Sequence, residues 1–110
     1  QKYPNLLMWV AGHNHRNTIA AVPSPDPAHP EYGFWVVETA SLRDFPQEFR
    51  TFEIIRYSDE LVGIKTVCVD VDVEGDTLAE KSRSFSIAAA QMVNHTDVAI
   101  ENAELLVRVK

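Results

Sequence analysis

Short apolar runs bounded by turn residues dominate the first two thirds of the chain. Residues 5–11 (NLLMWVA) form a run that is too short for a helix, and this predicts a buried β-strand. Residues 33–40 (GFWVVETA) predict a second strand, whose positions alternate between two faces. Four prolines between positions 23 and 30 exclude a regular ladder there, so we expect residues 20–33 to form a long, stiff loop.

A β-hairpin is predicted in the middle of the chain. Residues 51–57 (TFEIIRY) and 62–73 (VGIKTVCVDVDV) flank the polar segment SDEL, an arrangement typical of two antiparallel strands joined by a turn. In the longer strand, apolar and polar residues alternate, which predicts one face in the core and the other in water. The residues expected to face the core are Val67, Val69, Val71 and Val73.

The hydrophobic period changes near residue 77, where a helix is predicted. Thr77 can cap the N-terminus of this helix, and Glu80 stands three residues later, as in a capping box. Apolar residues then recur at helical spacing, and the helix is expected to end near Val93 or Asn94. The apolar residues with this spacing are Leu78, Phe85, Ala89 and Met92.

Residues 104–109 (ELLVRV) alternate again and predict a final strand. The expected fold class is therefore α+β, a mostly antiparallel β-sheet with one main helix. We expect a single domain over residues 1–110, since 45% hydrophobic content in 110 residues is enough to bury a core.

The charge balance narrows the choice of partners. Ten basic and sixteen acidic residues give a net charge of −6, which argues against binding to a nucleic-acid backbone or to an anionic membrane. Most of the acidic residues follow position 57, so an anionic ligand is expected to bind in the first half, near Arg16, Arg43 and Arg50. The apolar runs are far shorter than the ~20 residues that span a bilayer.

Residue types exclude two kinds of site. Cys68 is the single cysteine, so neither an internal disulfide nor a cysteine-based zinc site can form. The segment DVDVEGD at 70–76 imitates the start of a calcium-binding loop, but Lys81 stands where the twelfth position needs a bidentate glutamate. We expect instead a solvated strand face that leads into the helix.

The segment AGHNHRN, residues 11–17, carries the strongest candidate chemistry. His13 and His15 are separated by one residue, so their imidazoles can converge on one point in the turn after Gly12. Neutral imidazole is a ligand for borderline divalent metals. Taken alone, a His-x-His segment is more often two solvated loop residues than a metal site, and both interpretations stay open at this point.

A strand that runs into Gly-His-x-His resembles the last signature motif of the calcineurin-like metallophosphoesterases. The similarity extends through WVAGHNHRN and GFWVVETASLRDFPQEFRTFEII, within residues 5–57. This resemblance implies a sandwich of two mixed sheets, a centre of two divalent metal ions (Mn, Fe or Zn) and hydrolysis of a phosphate ester. It also implies that His13 ligates one metal and that His15 ligates the other.

The other motifs of that family are not found in this chain. The D-x-H, G-D and G-N-H motifs would precede the histidines, whereas the one Gly-Asp pair here, Gly75-Asp76, follows them. We therefore expect the C-terminal part of a phosphoesterase that is inactive in isolation. It would bind metal weakly or not at all, and it would contribute no catalytic residue of its own.

Three further expectations concern ligands and partners. Arg16 and Arg50 are candidate substrate-binding residues, because loop arginines can hold a phosphate bidentately, and Asp44 is expected to pair with Arg43 or Arg50. A sheet face built to pack against a missing half would favour a homo-oligomer. The alternative function is a non-catalytic, β-rich binding or interaction module in which His-x-His is incidental.

Overall fold

The fold is α+β and dominated by sheet, as predicted. The computed structural model describes residues 5–94 and 102–109, and within these ranges it contains six strands, one α-helix and one short 3₁₀ turn. The strands are β1 (Met8–Ala11), β2 (Thr18–Val22), β3 (Phe34–Glu38), β4 (Phe49–Arg56), β5 (Leu61–Val69) and β6 (Ala103–Arg108). The helix is α1 (Thr77–Asn94), and the 3₁₀ turn is Pro30–Tyr32.

The first sheet contains β1, β3 and β2, with β3 in the middle. β1 runs parallel to β3 with Ala11 opposite Glu38, and β2 is antiparallel to β3 with Ile19 opposite Val37. The prediction of a loop over residues 20–33 is wrong at its start, because β2 continues to Val22. This five-residue strand ends where the prolines begin, so the proline-rich composition masked it.

The second sheet is an antiparallel arrangement of β4, β5 and β6, in that order. The predicted hairpin is present, with Ile54 opposite Ile64, and β6 pairs on the other side of β5, with Leu105 opposite Ile64. The longer hairpin strand ends at Val69, four residues before the predicted end. The chain then turns at Gly75, whose φ of +81° is a conformation that glycine adopts without strain.

The core lies between the two sheets. Val37 of the first sheet joins a buried cluster from the second sheet, whose members are Val62, Ile64, Leu105 and Val107. The predicted valine face of β5 is wrong, since Thr66 is 1% exposed whereas Val67 is 44% exposed. Side chains alternate along a strand, so the inward direction of Val62 and Ile64 also directs Thr66 inward and Val67 outward.

Trp35 joins the two sheets through a polar contact as well as by packing. Its side chain lies against the core cluster, and its indole Nε1 donates a hydrogen bond to the carbonyl oxygen of Leu106 on β6 at 3.1 Å. Trp9, in contrast, is 60% exposed, so the prediction that residues 5–11 form a buried strand is wrong for this residue. Trp9 lies opposite Val36, on the face of the first sheet that points away from Val37.

The helix begins at Thr77, one residue earlier than a Thr77 cap would require. The Asp76 carboxylate accepts hydrogen bonds from the N–H groups of Leu78 and Ala79, at 2.9 and 3.0 Å, so Asp76 is the N-cap. The predicted capping box of Thr77 and Glu80 is therefore wrong, because Ala79 holds the third position after the Asp76 cap. The described helix extends to Asn94, and its predicted end was near Val93 or Asn94. In the described ranges, no helix is long and apolar enough to cross a membrane.

Contacts from α1 to the preceding loops are largely polar. Ser82 Oγ donates to Gln47 Oε1 at 2.8 Å, and Arg83 forms an ion pair with Asp70 at 2.8 Å. Phe85 contacts Phe45, with 5.9 Å between the ring centroids. The apolar residues Leu78 and Met92 remain largely exposed, as do several apolar residues on the sheets.

Candidate functional site

The parallel pairing of β1 with β3 places two loops at the same edge of the first sheet. Because parallel strands end on the same side, the loop of residues 12–17 after β1 meets the loop of residues 39–48 after β3. The backbone N–H of Thr39 donates to the carbonyl oxygen of Ala11 at 2.9 Å, which continues the pairing to the point where the loops begin. The histidine segment and the SLRDFPQ segment therefore form one surface.

His15 makes the central contact of this surface. Its Nδ1 lies 2.6 Å from Oδ2 of Asp44, and both side chains are partly exposed. The prediction that Asp44 pairs with Arg43 or Arg50 is wrong, because the imidazole takes the carboxylate. A carboxylate only accepts hydrogen bonds, so Nδ1 is the donor, and in the neutral imidazole this tautomer has its lone pair on Nε2.

The loop turns at His15 rather than at Gly12. His15 has a φ of +55°, in the left-handed region, whereas a Cβ at Gly12 would meet nothing within 4 Å. The turn was expected directly after Gly12, but the space around Gly12 would accommodate a side chain, so glycine is not required there.

His13 and Asn14 occupy the exposed part of the loop. His13 makes no hydrogen bond to any part of the chain that the structure describes. Asn14 Nδ2 donates to Glu38 Oε1 at 2.6 Å, and Thr18 Oγ1 donates to Glu38 Oε2 at 3.3 Å. The middle of the loop and the first residue of β2 are thereby tied to the last residue of β3, while the His13 imidazole is exposed.

Asn17 is a buried anchor of the loop. It is 5% exposed; its Oδ1 accepts from the backbone N–H of Ala40 at 3.0 Å, and its Nδ2 donates to Glu48 Oε2 at 2.5 Å. The thiol of Cys68 donates to the same Glu48 oxygen at 3.4 Å. Sequence reasoning missed Asn17, because a single asparagine in a loop gives no pattern that distinguishes a buried anchor from a solvated residue.

The three arginines of the first half differ in their surroundings. Arg16 and Arg43 are exposed, and neither forms an ion pair or a side-chain hydrogen bond with residues 5–94 or 102–109. Arg50 is 9% exposed and donates from Nη1 to Thr66 Oγ1 at 3.2 Å, on the inward face of the second sheet. Substrate binding by Arg50 remains a prediction, but its guanidinium is not presented at the surface.

His13 and His15 fit the role of metal ligands only in part. The contact from Asp44 to His15 is the arrangement that commonly orients a metal-binding imidazole and fixes its tautomer. His13 supplies a second imidazole two residues away. Among the described residues, however, no group of three or more His, Cys, Asp and Glu side chains is placed to hold a metal ion. The chain therefore offers two donors rather than a complete site.

Comparison with known protein families, curated proteins and solved structures gives no match for this chain. The functional proposal therefore depends on the sequence motif and on the geometry of the loop.

Proposed function

We propose that this chain is the C-terminal part of a phosphoesterase that uses two divalent metal ions, and that His13 and His15 ligate one metal each. The observation that carries the proposal is the 2.6 Å contact between Asp44 and Nδ1 of His15. It directs Nε2 of His15 away from the carboxylate and limits rotation of the ring, as a carboxylate partner commonly does for a metal-binding imidazole.

Two divalent metal ions of the Mn, Fe or Zn type would supply Lewis acidity and an activated water for hydrolysis of a phosphate ester. The residues of this chain would orient that centre. Asp44 holds the His15 ring, Asn14 ties the loop to Glu38, and Asn17 ties the loop to Glu48. Since two imidazoles do not complete a binuclear site, the isolated chain should show little or no turnover of an aryl phosphate with added Mn²⁺.

Metal binding by the isolated chain tests the proposal directly. We expect weak, saturable binding of Zn²⁺, measured from the NMR signals of the histidine side chains. The affinity for Zn²⁺ should fall roughly tenfold or more in His13→Ala, His15→Ala and Asp44→Ala. His29→Ala is the matched control, because His29 also contacts a carboxylate through Nδ1, with Glu31 Oε1 at 3.0 Å. Its substitution should leave the affinity unchanged.

Two results would contradict the proposal. If the loop variants bind Zn²⁺ as tightly as the unsubstituted chain, or if His29→Ala weakens binding equally, the histidines are not the ligands. Such a result would favour the non-catalytic binding module. In a longer protein that carries the D-x-H, G-D and G-N-H motifs upstream, His13→Ala or His15→Ala should remove nearly all phosphoesterase activity.

A further inference from the structure

We infer that Arg16 and Arg43 together bind the phosphoryl group of the substrate, and that the preferred substrate is a phosphate monoester. This inference rests on the proposed function and makes it more specific. The pair replaces the predicted combination of Arg16 with Arg50, because Arg50 is buried against Thr66.

The contact between His15 and Asp44 joins the two loops that carry the arginines. Arg16 directly follows His15, and Arg43 directly precedes Asp44, so each arginine is about 3.8 Å along the chain from a member of that contact. The parallel pairing of β1 and β3 holds both loops at the same sheet edge. Two arginines from different loops are therefore next in sequence to the two members of that contact.

The carboxylates around this edge have other partners. Glu38 accepts hydrogen bonds from Asn14 and Thr18, and Asp44 contacts His15. Glu48 accepts from Asn17 and from Cys68. Arg16 and Arg43 form no ion pair within the described part of the chain. The two exposed guanidinium groups thus have no carboxylate partner among the described residues, whereas each nearby carboxylate accepts a hydrogen bond from its own neighbour.

The chemistry of the pair favours a phosphate monoester. A guanidinium group donates through a planar fork that matches two phosphate oxygens, and two such groups match the three terminal oxygens of a doubly charged monoester. A diester offers two terminal oxygens and one charge. The net charge of −6 also disfavours a long polyanion such as a nucleic acid.

Binding of phenyl phosphate to the metal-free chain, in the presence of a chelator, tests the inference. We expect saturable shifts of the Arg16 and Arg43 Nε–Hε signals in NMR spectra, and roughly fivefold to tenfold weaker binding in Arg16→Ala and in Arg43→Ala. Diphenyl phosphate should bind more weakly than phenyl phosphate. Arg108→Ala is the matched control, since it removes an exposed arginine of β6.

The outcomes separate this inference from the proposed function. If the double variant Arg16→Ala/Arg43→Ala binds phenyl phosphate as well as Arg108→Ala does, or if the diester binds equally well, the inference is wrong. Addition of Zn²⁺ should strengthen binding of phenyl phosphate, and His13→Ala should abolish that gain. If the arginine signals respond but Zn²⁺ has no effect, the arginine pair stands and the metal proposal fails.

Discussion

Replacement of Asn17 by aspartate should destabilise the protein in a pH-dependent way. Asn17 Nδ2 donates to Glu48 Oε2 at 2.5 Å, and the asparagine is buried. Asn17→Asp keeps the size of the side chain but places a second carboxylate oxygen against Glu48. Two carboxylates at this distance, shielded from water, cannot both be ionised, so the pair must retain a proton.

The size of the destabilisation follows from the free energy needed to keep that proton on the folded protein at pH 7. A carboxyl group that ionises near pH 4 in the unfolded chain but keeps its proton at pH 7 in the folded chain loses up to about 4 kcal/mol of folding free energy. The charge-assisted hydrogen bond lost from the amide is alone worth roughly 1.5–3 kcal/mol, and a shared proton restores part of it. We therefore expect a loss of about 2–4 kcal/mol at pH 7. The folded-state pKa of the pair is raised, so the loss shrinks as the pH falls toward 4.

Urea denaturation of Asn17→Asp at pH 7 and at pH 4.5 measures this loss. Asn14→Asp is the matched control, because Asn14 makes the same kind of contact with Glu38, at 2.6 Å, but in an exposed position. Water screens the exposed pair, so the control should lose less than about 1 kcal/mol. The reasoning is refuted if Asn17→Asp loses no more than Asn14→Asp at pH 7, or if its loss is the same at both pH values.

Three other predictions follow from the contacts outside the loop. Asp76→Ala should lower the free energy of unfolding by about 1 kcal/mol and Thr77→Ala by less than half as much, because Asp76 is the N-cap; equal effects would contradict this. The hydrogen bond to Glu104 raises the pKa of Tyr57, so this bond stabilises the fold below about pH 10 and the stabilisation is lost as the pH rises further. The difference in unfolding free energy between the unsubstituted protein and Tyr57→Phe should therefore shrink above about pH 10. Because Trp9 and Ile54 are exposed, we expect the protein to self-associate, and Ile54→Lys should lower the average mass measured by light scattering. A monomeric unsubstituted protein at high concentration would contradict this expectation.

Local patterns in the sequence were sufficient for most of the fold. Alternation identified the hairpin and β6, and the change of period identified the helix, because these signals extend over six or more residues. β2 was missed because its five residues give a short pattern beside the prolines. The alternation of valines predicts the wrong inward face of β5, because Ile64, and not the number of valines, fixes the inward side.

The site was predictable only in part, for a different reason. The segment with His13 and His15 is contiguous, so a motif can identify it. The contact between His15 and Asp44 joins residues that are 29 positions apart, and it depends on the parallel pairing of β1 with β3. No local pattern encodes that pairing. The anchor at Asn17 depends on the same meeting of loops.

At His15 the left-handed backbone favours glycine, whereas the proposed function needs the imidazole. A side chain other than glycine costs roughly 1 kcal/mol in this conformation, so His15→Gly should be more stable than His15→Ala, the reverse of the usual order. Glycine would relieve the backbone but remove the imidazole. The backbone preference for glycine and the contact with Asp44 thus act in opposite directions at position 15, so an engineered, more stable version of this protein should keep His15.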